Sequence, residues 1–325
     1  LQKASVLVIG AGGLGCSALQ YLVAAGVGKI GIVDDDCVEI SNLQRQVIYN
    51  HEDCGKPKVD VACSRLSKLN PYIKILPYPK RFNRENAESL LRDFDLVLDG
   101  TDNFSSRYLI NDACVIFGKP LVHGSIHQFE GMVTVFNLNQ GPTYRCLFPE
   151  QPDPSSIPTC AEAGVLGVLP GIIGCWQALE VIKIITGIGS ILSGKVLLYN
   201  ALSQTSRSIS LNVEPKNHQI NELPVSVENC TSKSLLNSND IKEITESELH
   251  NMMMHNEHLQ ILDVREDWER IQARIEPSKH LPLGSFYGKS DQFLPTRELM
   301  LLYLCLVLLT KFTLIQVTKS PKELH

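Results

Sequence analysis

The sequence predicts an α/β protein with a doubly wound, mostly parallel sheet and an antiparallel extension. Strand-like and helix-like segments alternate from residue 5 to residue 118, and a glycine-rich turn joins the first strand to the first helix. After Pro120, two β-rich runs follow each other without a helix between them. Alternation is typical of parallel sheets covered by helices on both faces, whereas closely spaced strands pair antiparallel.

Hydrophobic periodicity places the individual elements. The strands of the parallel part are SVLVIG, KIGIVD, IKILPY and DLVLDG. One helix follows the glycine turn and a second begins near Pro57. Two further helices are ENAESLLRDF and SSRYLINDACVIFG. The antiparallel extension comprises PLVHGSI and GMVTVFN. A long apolar helix over residues 171–186 and the strands KVLLYN and SRSISLN complete the first domain.

The chain divides into two domains joined by a linker. Residues 1–213 form the first domain, and residues 214–240, rich in Asn, Ser, Glu and Pro without a sustained period, form the linker. Residues 241–325 form a smaller α/β module that contains a helix (ITESELHNMMM), a strand (LQILDV) and a charged helix (REDWERIQ).

Composition restricts the classes of partner. The 325 residues have a formal net charge of −5, which gives no basic excess for nucleic acid or an anionic membrane. Ten dispersed cysteines and no signal peptide at Leu1 indicate a cytoplasmic protein. The apolar run at 299–309 is shorter than the roughly 20 residues of a membrane span. A buried strand or helix is therefore favoured, with a membrane anchor or an aberrant tail as alternatives.

The turn after the first strand predicts a phosphate site. Gly10, Gly12 and Gly15 satisfy G-x-G-x-x-G between a strand and a helix, where backbone amides and the helix dipole favour an anion. Asp34 ends the second strand, where a carboxylate accepts hydrogen bonds from ribose hydroxyls. An NAD-dependent enzyme fits these two features equally well, and Asp34 could instead cap its own loop.

Charged residues beyond the turn favour a triphosphate over a dinucleotide. Arg45 and Lys58 could neutralise the additional phosphate charge, unless they are solvated surface charges. The strand DLVLDG delivers Asp99, Asp102 and Asn103 to the carboxyl edge of the sheet, where a carboxylate could hold Mg²⁺. Asp99 could equally be structural, bonded to turn amides, so Asp102 is the preferred metal ligand.

Four motifs in this order resemble the adenylating domain of the MoeB/ThiF-type ubiquitin-like-protein activating enzymes. They are GAGGLG, the run from Asp34 to Gln46, GKPK and LDGTDN, and the resemblance continues through PTCAEAGVLGVLPG to about residue 213. The resemblance implies a Rossmann-like fold, ATP and Mg²⁺ as cofactors, and adenylylation of a carrier protein's terminal glycine carboxylate. It implies that Arg45, Lys58, Asp102 and Cys160 are catalytic. The implied nucleotide contacts are Gly10, Gly12, Gly13, Gly15, Asp34, Asp36, Ser41, Asn42, Leu43, Gln44, Arg45, Lys58, Asp102 and Asn103.

The second module resembles a rhodanese domain through LQILDVRE and HLPLGSF. This order of domains resembles the eukaryotic adenylyltransferase–sulfurtransferases, which act in molybdenum cofactor biosynthesis and tRNA thiolation. The implied partners are the small subunit of molybdopterin synthase, the ubiquitin-related modifier, a cysteine desulfurase and a second copy of the chain. The persulfide loop of a rhodanese is absent after Cys305, because no glycine or arginine follows directly, and the module is expected to be incomplete. The chain also starts after the family's N-terminal helix, whose arginine reaches the partner's ATP.

Two cysteines of the first domain receive different predictions. Cys160 precedes a Gly-rich helical run, where a thiolate is favoured, and the family links this cysteine covalently to its carrier; an inert buried thiol is the alternative. The family's structural zinc needs two C-x-x-C pairs, of which only Cys146 remains, because Thr143 occupies the paired position and KNHQIN the second site. We therefore predict no tightly bound zinc.

Three functions remain open from the sequence. The first is the adenylyltransferase, with its sulfurtransferase step in doubt. The second is an NAD-dependent oxidoreductase, which rests only on the glycine turn and Asp34. The third is a non-catalytic carrier-binding homologue, suggested by the missing zinc ligands, N-terminal segment and persulfide loop.

Overall fold

The computed structural model describes residues 1–151 and 165–223, with short segments at 241–244, 253–254, 261–263, 278–280, 300–302 and 312–315. The chain forms two compact units, Leu1–Ser226 and Val227–His325. The first unit contains an eight-stranded sheet of order β3-β2-β1-β4-β5-β6-β7-β8. The predicted α/β class is therefore confirmed.

Five strands form the parallel part of this sheet. They are β1 (Ser5–Ile9), β2 (Lys29–Val33), β3 (Lys74–Tyr78), β4 (Leu96–Asp99) and β5 (Leu121–His127). Strands β2 and β3 lie on one side of β1, and β4 and β5 lie on the other. The connections that leave β1 and β4 therefore run in opposite directions along the sheet. Ligands of doubly wound sheets bind at such a switch point, beyond the carboxyl ends of the strands.

Three strands extend the sheet in antiparallel register. They are β6 (Glu130–Phe136), β7 (Lys195–Asn200) and β8 (Thr205–Ser210), which pair in sequence order from β5 onward. The predicted extension is confirmed for GMVTVFN, whereas PLVHGSI forms β5, which pairs parallel with β4 and antiparallel with the next strand. Every residue of β8 is exposed, whereas every residue of β1 is buried. The centre of the sheet is thus its parallel part, where both faces are covered by helices.

In the described part of the first unit, six helices pack around the sheet: α1 (Gly13–Ala24), α2 (Lys58–Leu69), α3 (Arg84–Arg92), α4 (Phe104–Ile116), α5 (Tyr144–Leu147) and α6 (Val168–Thr186). Helix α6 begins three residues before the predicted position. Among the described residues, α6 alone has the length and apolarity of a membrane span. Its buried residues pack on α1, β5 and β6, so it serves as a core helix.

The sheet separates two hydrophobic clusters. On one face, Leu19 of α1, Ala62 of α2 and Val181 of α6 pack against Val6 and Val8. On the other face, α3 and α4 pack against the alternate strand residues Leu7, Ile9 and Val97. Fully burying each large apolar side chain contributes about 1.5–3 kcal/mol, and the alternation along β1 fixes its register. Helices α2 and α4 therefore reach the strand ends from opposite faces.

The second unit contains a parallel sheet of order β11-β10-β12 and an antiparallel pair, β9 with β13. Strand β10 (Ile261–Asp263) confirms part of the predicted strand LQILDV, and β12 (Met300–Leu302) lies in the apolar run. The other strands are β9 (Ile241–Ile244), β11 (Lys279–His280) and β13 (Phe312–Ile315). Cys305 lies outside the described residues, and the rhodanese-like assignment stays a prediction.

Candidate active site

A cavity of about 230 Å³ opens at the carboxyl ends of β1, β2 and β4, at the switch point of the sheet. Its wall combines the glycine turn, acidic strand ends and several cations. The predicted residues on this wall are Gly10, Gly12, Gly13, Asp34, Asp36, Arg45, Lys58, Asp102 and Asn103. The structure thus brings together most of the residues singled out from the sequence.

The glycines of the turn have different physical roles. Gly10 has a φ of +96°, and a Cβ there would lie 2.8 Å from the backbone carbon of Gly100. At Gly15 a Cβ would lie 1.9 Å from the carbonyl oxygen of Gly10, so this glycine lets α1 pack on β1 and lies behind the cavity wall. A Cβ at Gly12 would meet only the Gln46 amide, at 3.7 Å. Gly12 therefore presents open backbone to the cavity.

Asp34 connects its own loop with the glycine turn. Its carboxylate accepts hydrogen bonds from the backbone N–H of Ala11, at 2.7 Å, and of Asp36, at 2.9 Å. Burial raises the pKa of Asp34, and the charge of Lys58 and the two amides oppose this shift. The capping role considered from the sequence is real, and the side chain also lines the cavity. Its contact with ribose stays a prediction.

The two cations predicted from the sequence lie on the wall. The Lys58 side chain is only 6% exposed, and its ammonium lies 2.7 Å from Oδ2 of Asp36. This burial is incompatible with a solvated surface charge. Arg45 donates from Nη1 to the carbonyl oxygen of Ser41, and its Cγ would lie 3.5 Å from a Cβ at Gly13. Both cations therefore lie near the N-terminus of α1, which itself favours an anion.

The residues at the end of β4 have separate tasks. Asp102 is exposed on the wall and forms no hydrogen bond or ion pair with any other residue that the structure describes. Asn103 caps α4, because its Oδ1 accepts a hydrogen bond from the backbone N–H of Ser106 at 2.9 Å. Asp99 is fully buried and accepts hydrogen bonds from the amide and hydroxyl of Thr101. The structural alternative for Asp99 is therefore correct, and Asp102 has the free carboxylate.

A buried hydrogen-bonded pair, Asp99 and His123, lies beneath this strand end. Oδ2 of Asp99 is 2.8 Å from Nδ1 of His123, and both side chains are excluded from water. Burial by itself raises the pKa of Asp99, but the bond to His123 and the charges of His123 and Arg107 hold it below its usual range. Burial lowers the pKa of His123 despite the neighbouring carboxylate. The folded state thus favours an ionised Asp99 and a neutral His123 that donates from Nδ1.

We expect the free energy of unfolding to fall in acid because of His123. Below a pH of about 6.5 the unfolded chain binds a proton at this histidine that the folded state excludes. Stability is then lost by up to about 1.4 kcal/mol per pH unit. The test is His123→Asn, whose amide can still donate to Asp99. Between about pH 8 and pH 5.5, the free energy of unfolding measured with urea should change less with pH in this variant than in the wild type. Identical slopes for the two proteins would contradict this assignment.

Besides Gly15, four predicted contacts are not on the cavity wall: Ser41, Asn42, Leu43 and Gln44. This segment contains a short 3₁₀ helix, Ile40–Asn42. The Leu43 side chain packs against the core, and the Gln44 backbone would lie 2.4 Å from a Cβ at Gly167. Their direct contact with a nucleotide stays a prediction, and the structure gives Leu43 and Gln44 packing roles.

The wall also contains residues that the sequence reasoning missed. Lys80, Arg81 and Phe82 follow β3 and line the cavity beside β2. Applying the rule of strand ends to β3, as to β2 and β4, would have found them. Gln46 and Arg107 are buried wall residues with unpartnered polar atoms among the described part of the chain. The other missed wall residues include Asp35, Thr101, Ser106 and Pro170.

Several hydrogen-bond donors surround the sulfur of Cys146. Its Sγ accepts from the backbone N–H of Thr143 and Glu214 and from the Asn217 amide, each at 3.3 Å. Burial raises the pKa of Cys146, but these donors outweigh it and lower the pKa overall. His218 instead contacts the carbonyl oxygen of Gly141 at 3.0 Å. One thiolate with amide donors does not fit a tetrahedral zinc site, and the absence of bound zinc stays our prediction.

Replacing Cys146 by alanine should destabilise the first unit by about 1–2 kcal/mol, because three N–H donors lose their acceptor. Cys146→Ser keeps an acceptor and should lose less. Urea unfolding of both variants measures the difference, and metal analysis should find far less than one zinc per chain. Stoichiometric zinc, or stabilisation by added zinc that Cys146→Ala abolishes, would contradict the prediction.

Cys160, the cysteine predicted to link to the carrier, lies outside the described residues. Its thiolate character and its covalent role therefore stay predictions. The described segment resumes at Val165, and Val165 and Pro170 belong to the cavity wall.

The fold and the cavity define a nucleotide-binding protein of the doubly wound α/β class, with cations and carboxylates on the cavity wall at its switch point. The chain belongs to the ThiF family, which matches residues 1–223. The MoeB/ThiF-type resemblance drawn from the motifs is therefore confirmed.

Several curated relatives are similar over this region. A sulfur carrier protein adenylyltransferase from Thermus thermophilus is 53% identical over 221 residues, which cover 66% of this chain and 82% of the relative. A SAMP-activating enzyme E1 from Haloferax volcanii is 46% identical over 215 residues, covering 66% and 79%. The adenylyltransferase and sulfurtransferase MOCS3 from Drosophila persimilis is 38% identical over 325 residues, covering 94% and 71%.

Solved structures share the fold at lower identity. Crystalline Escherichia coli MccB with ATP superimposes with a TM-score of 0.59 at 21% identity, covering 66% of each chain. At this identity the similarity supports the fold alone.

Proposed function

We propose that the protein adenylylates the C-terminal glycine carboxylate of a ubiquitin-like sulfur-carrier protein with ATP. The observation that carries the proposal is the convergence of Arg45, Lys58 and the free Asp102 carboxylate on one cavity beside the glycine turn. Relatives that are named as adenylyltransferases or as an activating enzyme, and that are 53%, 46% and 38% identical to this chain, support the proposal further.

The wall suits each part of ATP. Asp34 would bind the ribose, and the backbone of Gly12 and Gly13, at the N-terminus of α1 on the cavity wall, would bind the phosphates. Arg45 and Lys58 neutralise the charge of the β- and γ-phosphates. Asp102 suits Mg²⁺, because it is an exposed, unpaired carboxylate on the described part of the wall. The ion would neutralise phosphate charge that develops during the transfer.

The reaction is a displacement at the α-phosphorus. A carboxylate oxygen of the carrier forms a bond to phosphorus, and the bond to the bridging oxygen of the β-phosphate breaks. Pyrophosphate leaves with that electron pair, so the step needs neither an oxidant nor an added proton. The cations act by stabilising charge as it moves to the leaving group. The product is an acyl-adenylate, whose carbonyl can be attacked by a sulfur nucleophile.

The later steps and partners belong to the same proposal. The carriers are the small subunit of molybdopterin synthase and the ubiquitin-related modifier, whose thiocarboxylates serve molybdenum cofactor biosynthesis and tRNA thiolation. Cys160 forms the covalent link to the carrier, a cysteine desulfurase supplies sulfur, and the protein acts as a cytoplasmic homodimer. The sequence after Cys305 gives no support for a persulfide loop in this chain.

The test incubates the full chain with ATP, Mg²⁺ and each candidate carrier. Intact-mass analysis should show AMP added to the carrier, and ATP–pyrophosphate exchange should depend on it. A carrier that lacks its terminal glycine is the matched control. Binding of the carrier without AMP transfer would favour the non-catalytic homologue. Turnover that requires a nicotinamide cofactor would favour the oxidoreductase. A carrier linked to Cys160, abolished by Cys160→Ser, tests the covalent step separately.

A further inference from the structure

Arg107 is a buried cation at the cavity that neither the sequence analysis nor the proposed nucleotide contacts use. It lies in α4, one turn after the Asn103 cap, and is 7% exposed. Its Nη2 donates to the carbonyl oxygen of Thr101 at 3.1 Å, and its guanidinium lies 5.4 Å from the centre of the Phe104 ring. Its Nε has no hydrogen-bond partner among the described residues. The side chain is nevertheless part of the cavity wall.

The charge of Arg107 lacks a carboxylate partner in the part of the chain that the structure describes. Lys58 is paired with Asp36, and Arg81 with Asp35, but no carboxylate of a described residue lies within 4.0 Å of the Arg107 guanidinium. The charge of Arg107 lowers the pKa of Asp99 by electrostatic attraction. The described hydrogen bonds to the Asp99 carboxylate come from Thr101 and His123. The ionised Asp99 nearby offsets part of this buried charge. Because Arg107 is also on the wall, an anion bound in the cavity would offset more of it.

The position of Arg107 distinguishes it from the two cations predicted from the sequence. Lys58 begins α2, which packs on one face of the sheet, and Arg45 lies beside Gly13 on the α1 side. Arg107 belongs to α4, which packs on the opposite face, and approaches the end of β4. The cations therefore approach the cavity from two sides.

In-line displacement requires this arrangement of charge. The attacking oxygen and the leaving oxygen lie on opposite sides of the phosphorus. If Arg45 and Lys58 hold the leaving pyrophosphate, the incoming group arrives from the side of β4 and α4. That group is an anion, since it is the carrier's terminal carboxylate. A guanidinium binds a carboxylate through directed N–H donors, and the Arg107 side chain lines the cavity on this side.

We propose that Arg107 binds the attacking C-terminal carboxylate of the carrier and holds it opposite Arg45 and Lys58. The proposal rests on the proposed function and adds a catalytic residue to it. A peptide with a free C-terminal carboxylate is the ligand class, and the nucleotide phosphates are the competing ligand in the test.

The test measures how well the protein distinguishes a carrier with a free C-terminus from the same carrier with a C-terminal amide. Binding is measured with a non-hydrolysable ATP analogue present, in the wild type, Arg107→Gln and Arg107→Lys. The wild type should bind the free acid about 10–100-fold more tightly than the amide. Arg107→Gln should lose this preference, while its affinity for the ATP analogue changes by no more than about twofold. Arg107→Lys should keep part of the preference, because lysine keeps the positive charge but lacks the planar set of N–H donors of a guanidinium.

Arg84→Gln is the matched control, because Arg84 is an exposed arginine of α3 that is not part of the cavity wall. A fall in affinity for the ATP analogue with an unchanged acid preference would assign Arg107 to the phosphates and overturn the inference. An unchanged preference and unchanged nucleotide affinity would make it structural, with the same consequence. If Arg107→Gln does not fold, Arg107→Lys decides: a preference equal to that of the wild type overturns the inference. A wild type without AMP transfer would instead overturn the proposed function.

Discussion

Replacement of Lys58 by methionine is expected to lower carrier-dependent AMP transfer by about 10²–10³-fold, the range for removing one preorganised charge from a transition state. The ammonium is buried on the cavity wall, where its interaction with phosphate is stronger than in bulk water. Methionine keeps the length of the stem and removes only the charge. Its former partner, Asp36, has a side chain that is 63% exposed, so water can solvate it and the fold should tolerate the change.

The comparison with Lys56→Met isolates this effect. Lys56 lies two residues earlier, is 58% exposed, and pairs with Asp53 at 3.7 Å outside the cavity. Initial rates of AMP transfer at saturating carrier should be unchanged in this control and severely reduced in Lys58→Met. Circular dichroism should show both variants folded. If Lys58→Met keeps the wild-type rate within about threefold, the triphosphate is not bound where we place it.

The glycine turn and the strand ends were predictable because they depend on local rules. Gly10 and Gly15 occupy positions where a Cβ would meet backbone, so the chemistry of the turn is already specified by residue type. Asp34 and Asp102 follow buried strands, and parallel strands deliver their carboxyl ends to one edge. The antiparallel extension was predictable for a similar reason, because no helix intervenes between PLVHGSI and GMVTVFN.

The missed part of the site depends on tertiary structure. Arg107 lies in a helix, where a charged residue usually faces water, and only the packing of α4 on the sheet shows that it is buried. The loop at 41–44 also depends on tertiary structure. Its motif predicts nucleotide contacts, which stay a prediction, and only the structure shows that Leu43 packs against the core. Hydrophobic periodicity says nothing about the direction of such a short segment.

The Asp102→Asn variant should lose about 10²-fold in the rate of AMP transfer and require more Mg²⁺ for half-maximal rate. Asparagine has nearly the same shape, but it is a weaker ligand for a hard divalent cation. Rates measured against Mg²⁺ concentration at saturating ATP separate a weaker metal interaction from a damaged site. Asp60→Asn, at an exposed position of α2 away from the wall, controls for the loss of one negative charge. An unchanged Mg²⁺ requirement would remove Asp102 from the metal site.

The same substitution at Asp99 provides the sharpest contrast, since both aspartates come from the end of β4. Asp99 is fully buried and paired with His123, and Gln177 donates to its carbonyl oxygen at 2.6 Å. Asp99→Asn removes the buried negative charge that accepts a hydrogen bond from His123 and lies near the charge of Arg107, and it should destabilise the protein by about 3–5 kcal/mol. Asp102→Asn should leave the free energy of unfolding nearly unchanged, because the described residues give its carboxylate no hydrogen-bond partner. Equal destabilisation by both changes would mean that Asp102 is structural, and a metal role would then need another carboxylate.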